Sequence, residues 1–530
     1  MAVSLNETEV KYEASADAEL PQLDGLPGVA AAQSTAEHLV AVYYDTADLR
    51  LLRAGITLRR RSGGHDAGWH LKLPAGAHTR EEIRLPIAGG RVPRELANLV
   101  RARTRSAQLV PVATVSTRRQ AISLLDSAGQ LLAEVADDRV TASRPQDPAP
   151  ADTWREVEVE LAGGNRDLLV AADEVLRGSG VTQSARSAKL ERVLSSQLPP
   201  APDVHRPTAT GPAREAIASY LAEQAEELAE LDPQVRRLRP DSVHKMRIAT
   251  RRLRSTLRTF GAVIEPAGTE HVAAELQWLG GVLGRARDAE VLAAHLHEHL
   301  AQDSHLDEQD SQLDKTALLD KAGRAAGSDL SGPVAARIDA HFATSAAAAH
   351  AAVQRAMNSR RYLALLDDLD ALIADPPPGP ESDAVAAPAL AAAVRHAYRA
   401  ARRRMRRAFA MPPGADRDSA LHRARKAAKR ARYAAEATAG VAGPEARRFA
   451  KRMQQVQSVL GDHQDTVIAR ELERRLGVEA HLAGENAFSY GLLYERDVCD
   501  ARAIQDRAAA IWHKASRPRY RRWLWADGDG

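Results

Sequence analysis

The chain has 530 residues, with 73 Lys+Arg against 70 Asp+Glu and a formal net charge of +3. That length exceeds one ordinary core and predicts at least two domains, while the near-balanced charge excludes a uniformly basic coat, so any polyanion site must come from local clustering. Cys499 is the single cysteine, which excludes a disulfide framework and a thiolate zinc site and points to a reducing, cytoplasmic setting.

Residues Met1–Lys11 lack a cationic start followed by an apolar run, so no secretory signal is expected. No uninterrupted apolar stretch reaches about 18 residues, so no membrane span is expected. Up to about Leu198, apolar and polar residues often alternate. Thr8–Tyr12, Ile56–Arg61, Trp69–Leu73, Arg80–Leu85, Leu131–Val135 and Glu156–Leu161 have the period-2 pattern of strands. Gly63–Gly64 and Gly89–Gly90 mark turns between them.

On a strand, residues two apart share a face. Glu7, Glu9 and Lys11 therefore line one face, backed by Val10 and Tyr12. Arg59 with Arg61, His70 with Lys72, and Glu156, Glu158 and Glu160 repeat the arrangement. A single charged strand face is usually just a solvated one. Several such strands together ask for more, because carboxylates in a row repel unless a cation sits among them. Hard divalent ions take oxygen ligands, and Arg and Lys take phosphate oxygens. If the strands close into a barrel, both sets line its lumen and suit a metal-complexed polyphosphate.

Pro199–Pro212 carries five prolines and predicts a stiff linker. From about Gly211 to Ala515 the texture is Ala, Leu, Arg and Glu at helical period, interrupted at Asp375–Ser382, and a helical domain is expected over 213–530. This half repeats itself, about 213–375 against 383–525. His244, Arg247, Arg251 and Arg254 match His422, Arg425, Lys429 and Arg432. Leu283-Gly284 and Asp288 match Leu460-Gly461 and Asp465. The offset is 178 at the histidines and 177 at the glycines and aspartates. Two copies predict a pseudo-twofold pair of helical bundles. At about 100° per residue, His244, Arg247, Arg251, Arg254 and Arg258 form one cationic stripe beside an apolar flank. Glu436 stands where the second copy would have the counterpart of Arg258. Like charges stacked this way destabilise a helix unless an anion neutralises them, so Asp288 and Asp465 are expected partners and a flexible polyanion is the functional alternative. Trp523 and Trp525 in the basic tail either anchor it on the bundle or leave it loose.

Glu7–Lys11, Tyr43-Tyr44-Asp45-Thr46, Leu58–Arg61, Lys72, Glu81-Glu82 and Glu156–Glu158, in this order, resemble the CYTH domain of the triphosphate tunnel metalloenzymes over roughly residues 3–195. The resemblance implies an eight-stranded antiparallel β tunnel that hydrolyses triphosphates or cyclises ATP with Mg²⁺ or Mn²⁺. It implies metal binding by Glu7, Glu9, Glu156 and Glu158, with Asp137 or Asp138, and phosphate binding by Lys11, Arg59, Arg61, Lys72 and Lys189, with Arg118 or Arg119. Glu9 and Lys11 are the expected catalytic pair. A lone histidine such as His70 is more often structural than a substrate contact. No phosphate-binding glycine loop of the P-loop kind is present.

Val243–Arg247, Arg251–Arg254, Leu283-Gly284 with Arg287-Asp288, and the second set around His422 and Leu460-Gly461 resemble the CHAD domain over roughly residues 206–525. That resemblance implies an all-α domain of two pseudo-symmetric bundles that binds inorganic polyphosphate through His244, Arg247, Arg251, Arg254, His422, Arg425, Lys429 and Arg432. The joint expectation is a Mg²⁺-dependent triphosphatase, with inorganic triphosphate as substrate, coupled to a polyphosphate-binding module. The rivals are an adenylyl cyclase on the same tunnel and a non-catalytic polyphosphate-targeting protein. Nucleic-acid binding is disfavoured because the stripes lack interleaved aromatics.

Overall fold

Strands whose charged faces all need shelter and whose apolar faces all need packing are both satisfied by closing the sheet on itself. The computed structural model describes residues 3–76, 79–145, 152–184, 188–198, 207–310 and 334–525, with side chains at 3–7, 289–290 and 300–310 outside that description. The chain forms two units, Met1–Asp203 and Val204–Gly530.

In the first unit, β1 (Val3–Ala14), β2 (Ala31–Asp45), β3 (Thr57–Ser62), β4 (Gly68–Pro74), β5 (Thr79–Leu85), β6 (Val110–Leu125), β7 (Leu131–Ser143) and β8 (Asp152–Leu161) make an antiparallel barrel. The order is β5-β4-β3-β2-β6-β7-β8-β1, closed by pairing of β1 with β5. A short β9 (Thr182–Gln183) adds to β1 at Tyr12 and Glu13. Three short helices, α1 (Arg50–Arg53), α2 (Arg94–Leu99) and α3 (Arg101–Thr104), follow β2 and β5, and α4 (Arg166–Gly178) and α5 (Lys189–Leu194) follow β8.

The outward faces build two cores. Tyr12, Leu124, Val135, Val157 and Val159 pack under Leu168, Leu169, Ala172 and Leu176 of α4. Leu58, Trp69, Leu71 and Ile83 pack with Leu51, Leu96 and Leu99. A third cluster lies on the inward faces. Leu190, Val193 and Leu194 of α5 meet Ala41, Tyr43, Val115, Val140, Ala142 and Trp154, so α5 fills one end of the barrel interior. The rest of the lumen is lined mostly by charged side chains. At the β3–β4 turn Gly63 and Gly64 have φ of 82° and 71°, and a Cβ on Gly63 would stand 2.1 Å from the His38 carbonyl oxygen, so only glycine fits.

The second unit is helical: α6 (Ala213–Arg236), α7 (Ser242–Thr259), α8 (Glu270–Asp310), α9 (Val334–Met357), α10 (Arg360–Ala374), α11 (Ala386–Phe409), α12 (Ala415–Leu482), α13 (Phe488–Ala515) and α14 (Pro518–Arg521). α12 breaks at Gly443, φ 68°, just before Pro444. The pieces either side of that break carry the second copies of the motifs on α7 and α8. Arg254 donates to Gln277 Oε1 at 2.5 Å and its counterpart Arg432 to Gln457 Oε1 at 3.3 Å, so the matched arginines each reach a glutamine, at positions that are not equivalent in the repeat.

Two readings change, and the two longest strands, β2 and β6, lie outside the segments that the alternation picked out. The proline-rich linker lies partly outside the described residues, at 199–206, and its remainder is packed: the carbonyls of Ala209 and Gly211 accept from Ala387 and Ala386. The second proline-rich interruption is likewise docked, with Pro378 bridging Ile264. Trp523 and Trp525 anchor the tail, with ring centroids 6.0 Å from Phe449 and 6.3 Å from Tyr398.

Candidate functional site

The barrel encloses a charged cavity of about 420 Å³. Strand parity explains its lining. Glu9 and Lys11 face in from β1, Arg59 and Arg61 from β3, Lys72 from β4, and Arg80, Glu82 and Arg84 from β5. Arg119 enters from β6, Glu134 from β7, and Glu158 and Glu160 from β8. Lys189 enters from the first residue of α5. Register places opposite charges across from one another: Lys11 opposite Glu158, Arg119 opposite Asp138, and Lys72 opposite Glu82.

Carboxylates gather on β7, β8 and β1. Asp138, Glu156 and Glu158 each offer an oxygen within 4.8 Å of the others. Lys189 Nζ sits among them, 2.9 Å from Asp138, 2.6 Å from Glu156 and 2.9 Å from Glu158. Arg119 grips Asp138 through two bonds of 2.8 and 2.7 Å and reaches Glu158 at 3.1 Å. Lys11 pairs with Glu158 and lies 3.4 Å from Glu9. Burial would raise Glu158, but Lys11, Lys189 and Arg119 outweigh it and hold its carboxyl well below the usual range. Burial likewise opposes Asp138, and Lys189 and Arg119 bring it down. The donors are all oxygens, the set a hard divalent cation such as Mg²⁺ or Mn²⁺ prefers, so the residues fit such an ion, with Lys189 as its competitor.

Cations gather on β3, β4 and β5 around Glu82, which is fully buried. Glu82 accepts from Arg84 and lies 3.9 Å from Arg59 and 4.0 Å from Lys72. Burial, then Arg59 and Arg119, push the Arg61 guanidinium down, so this wall carries more positive charge than its own carboxylates answer. Arg61 also pairs with Asp66 in the β3–β4 turn. Arg59 reaches the Tyr43 hydroxyl at 3.4 Å.

Of the residues singled out from sequence, Glu9, Lys11, Arg59, Arg61, Lys72, Arg119, Asp138, Glu156, Glu158 and Lys189 converge on this lumen. The Glu7 side chain falls outside the described residues. Arg118 and Asp137 do not join them. Arg118 lies on the barrel's outer side in a separate hollow with His38 and Arg139, and Asp137 is tied to Arg155 by bonds of 2.8 and 2.9 Å. Adjacent strand residues face opposite ways, and that settles both pairs in favour of the other member. Lys189, expected on phosphate, is placed on the carboxylates. His70 is buried, with Nδ1 2.9 Å from Glu82 and Nε2 2.9 Å from the Asp66 carbonyl, so both ring nitrogens are engaged. Asp45 caps α1, accepting from the amides of Thr46, Leu51 and Leu52 at 2.6–2.9 Å. Arg80, Glu82 and Arg84 were missed as site residues, although their period-2 spacing was the signal.

In the helical unit both stripes open onto one cleft of about 770 Å³. His244, Arg247 and Arg251 line it from α7, and His422, Arg425, Lys429 and Arg432 from α12, with Arg287 beside them. Arg254 does not line it. Asp288 accepts from Arg247 at 2.8 Å, and Glu436 joins the two copies by accepting from Arg432 at 2.6 Å and Arg252 at 3.0 Å. The glycine of each motif makes room for an arginine. A Cβ on Gly284 would meet Arg247 at 3.5 Å, and one on Gly461 would meet Arg425 at 3.2 Å. Burial, then Arg251 and Arg425, push Lys429 down to about 6. So many cationic side chains in one hollow, facing few carboxylates, suit a polyanion. The cleft's phenyl and phenol rings, Phe342 and Tyr433, are 7% and 3% exposed, so neither offers a face for base stacking.

Residues 5–188 match the model of the CYTH domain and residues 219–474 that of the CHAD domain. An uncharacterised protein of Mycobacterium tuberculosis is 35% identical over 530 residues, covering 96% of each chain. Among solved structures, PptA from Streptomyces chartreusis is 21% identical and covers 57% of this chain and 99% of its own, with a TM-score of 0.45. The CHAD domain from the plant Ricinus communis is 28% identical over 57% of this chain and 94% of its own, TM-score 0.41. A Hippeastrum adenylyl cyclase candidate with a dominant triphosphatase activity is 14% identical over 37% of this chain and 97% of its own, TM-score 0.22. No described helix is long and apolar enough to cross a membrane.

Proposed function

The chain belongs to the family that joins a CYTH domain to a CHAD domain, and from that premise we propose that its tunnel hydrolyses a triphosphate with Mg²⁺ or Mn²⁺ while its helical cleft binds inorganic polyphosphate. CYTH domains are typically phosphate-transferring or phosphate-hydrolysing and metal-dependent. The observation that carries the reading is the separation of charge within one lumen, acidic on β7, β8 and β1 and basic on β3 to β5.

Glu9, Asp138, Glu156 and Glu158 would hold the ion. When bound, it supplies charge neutralisation at phosphoryl oxygens and lowers the pKa of water. Arg59, Arg61 and Lys72 grip the phosphate chain in line and stabilise charge on the leaving pyrophosphate. Lys11, between Glu9 and Glu158, holds both carboxylates ionised and presents its ammonium to the lumen. The attacking group is water, and the products of a triphosphate are orthophosphate and pyrophosphate. Apart from Tyr43, Thr57, Leu131, Leu161, Ala162 and Ala188, every described lining residue carries a formal charge or an imidazole. That leaves little apolar surface for a nucleobase and favours inorganic triphosphate.

A substrate panel on the full chain tests this. Inorganic triphosphate should yield orthophosphate and pyrophosphate in equal amounts, only with added Mg²⁺ or Mn²⁺. Conversion of ATP to cyclic AMP would transfer the reading to a cyclase, and no turnover of either would leave a binding protein. For the cleft, polyphosphate should displace RNA at fixed salt, and the reverse order would reject the polyphosphate assignment.

A further inference from the structure

Away from the tunnel, and distinct from the motif histidines His244 and His422, helices α8, α12 and α13 bring together His295, His299, Glu473 and Asp497. His295 and His299 are one turn apart on α8, with ring centroids separated by 4.4 Å. His295 Nε2 lies 2.9 Å and His299 Nδ1 3.9 Å from Asp497 Oδ1. One donor atom from each of these three residues falls within 4.8 Å of the others. Glu473 lies against Asp497, and both are fully buried.

The unmet polar atoms mark a cluster suited to a cation. Asp497 Oδ2, both carboxyl oxygens of Glu473 and Nδ1 of His299 are buried without a hydrogen-bond partner. Two neighbouring buried carboxyls with no donor between them are costly unless a cation or a shared proton joins them. The nearby arginines are committed elsewhere: Arg470 donates to Asp418 and to the Thr466 carbonyl, and Arg496 donates to the His299 carbonyl. His299 Nε2 lies 3.5 Å from Asp500, which leaves Nδ1 turned inward. That is the carboxylate–imidazole arrangement that orients metal-binding histidines.

We propose that His295, His299, Glu473 and Asp497 form a binding site for one divalent transition-metal ion of the zinc class, which ties α8, α12 and α13 together. Two imidazoles with two carboxylates make a four-coordinate set of borderline donors. Imidazole selects zinc, iron, nickel or copper, unlike the all-oxygen cluster in the tunnel, which selects magnesium or manganese. With four protein donors on three helices, the site is a structural clasp. The competing arrangement is a protonated Glu473 sharing its proton with Asp497; burial and Asp497 push Glu473 up to about 9.

The test uses the full chain, free of any affinity tag, stripped with a chelator and titrated with Co²⁺. One equivalent should give the visible absorption of a four-coordinate site, displaced by Zn²⁺. The double variant His295→Ala/His299→Ala should lose that absorption and bind at least ~100-fold more weakly, while Glu158→Gln in the tunnel should retain it. Asp497→Asn guards against a folding artefact: its amide gives Glu473 a donor, so it should melt no lower than the metal-free wild type and still lose the absorption. No absorption in the wild type, absorption surviving the histidine double variant, or absorption lost in Glu158→Gln would each overturn the proposal.

Discussion

Replacing Lys189 by Met should unmask the acidic cluster of the tunnel. The ammonium is 9% exposed and sits 2.6–2.9 Å from Asp138, Glu156 and Glu158. Removing one partner of such a buried ionic set costs about 3–5 kcal/mol, because the remaining charges lose their counter-charge. For a unit of about 200 residues, each kcal/mol moves the melting temperature by about 2–4 °C. The variant should therefore melt about 6–20 °C lower than wild type in chelator. Added Mn²⁺ should recover most of that loss, since a cation is restored among the same carboxylates, and the Mn²⁺ affinity should exceed that of wild type. The sign with pH follows from the depressed carboxyls. Asp138 and Glu158 stabilise the folded state above their unfolded pKa near 4 and lose that contribution as pH falls through their lower folded values. The gap between variant and wild type should thus narrow in acid. Scanning calorimetry of both proteins, with and without Mn²⁺ at pH 7.5 and 3, measures all three quantities. A shift below about 1 kcal/mol, or one unaffected by Mn²⁺, would refute the reasoning.

Other consequences follow from the same geometry. Glu158→Gln removes the carboxylate shared by Lys11, Lys189 and Arg119, and should reduce triphosphate turnover by at least about 100-fold while abolishing its response to Mg²⁺, as read by orthophosphate release. Lys429 stands near pKa 6 in the free cleft, and a bound polyanion favours its charged form. Binding then takes up a proton, so polyphosphate affinity should fall as pH rises above 6, by up to about tenfold per unit; calorimetric titration in buffers of different ionisation enthalpy should record the uptake, and Lys429→Met should remove it. Gly461→Ala forces Arg425 to give way at 3.2 Å, whereas Gly284→Ala leaves ordinary contact with Arg247 at 3.5 Å. Polyphosphate affinity should therefore drop more for the first, measured by the same titration.

Much of the tunnel was legible because its chemistry is written at period two. Glu9 and Lys11 on β1, and Glu156 and Glu158 on β8, share a face whatever the register, so their convergence needed only closure of the sheet. The unresolved choices were those that depend on a partner strand. Nothing local says whether Asp137 or Asp138 faces in; Arg155 takes one outside and Arg119 takes the other inside. The weak alternation of β2 has a physical reason as well. The first six residues of β2, Ala31–Ala36, are exposed on both faces, so burial imposes no alternation on them. The entry of α5 into the barrel was not legible either, because a six-residue helix carries too short a pattern to reveal what it packs against. In the helical unit the repeat was plain, yet only the fold brings stripes 178 residues apart onto one cleft and turns Arg254 away from it.

The central claim is that one lumen holds a metal on its acidic wall and phosphate on its basic wall. Steady-state hydrolysis of inorganic triphosphate by the full chain, with Mg²⁺ and triphosphate varied independently in wild type, Glu9→Gln and Arg59→Met, separates the two. The account predicts that Glu9→Gln raises the Mg²⁺ requirement, and that Arg59→Met raises the KM for triphosphate without changing that requirement. Equal responses of both variants to Mg²⁺, or wild-type kinetics in either, would contradict it.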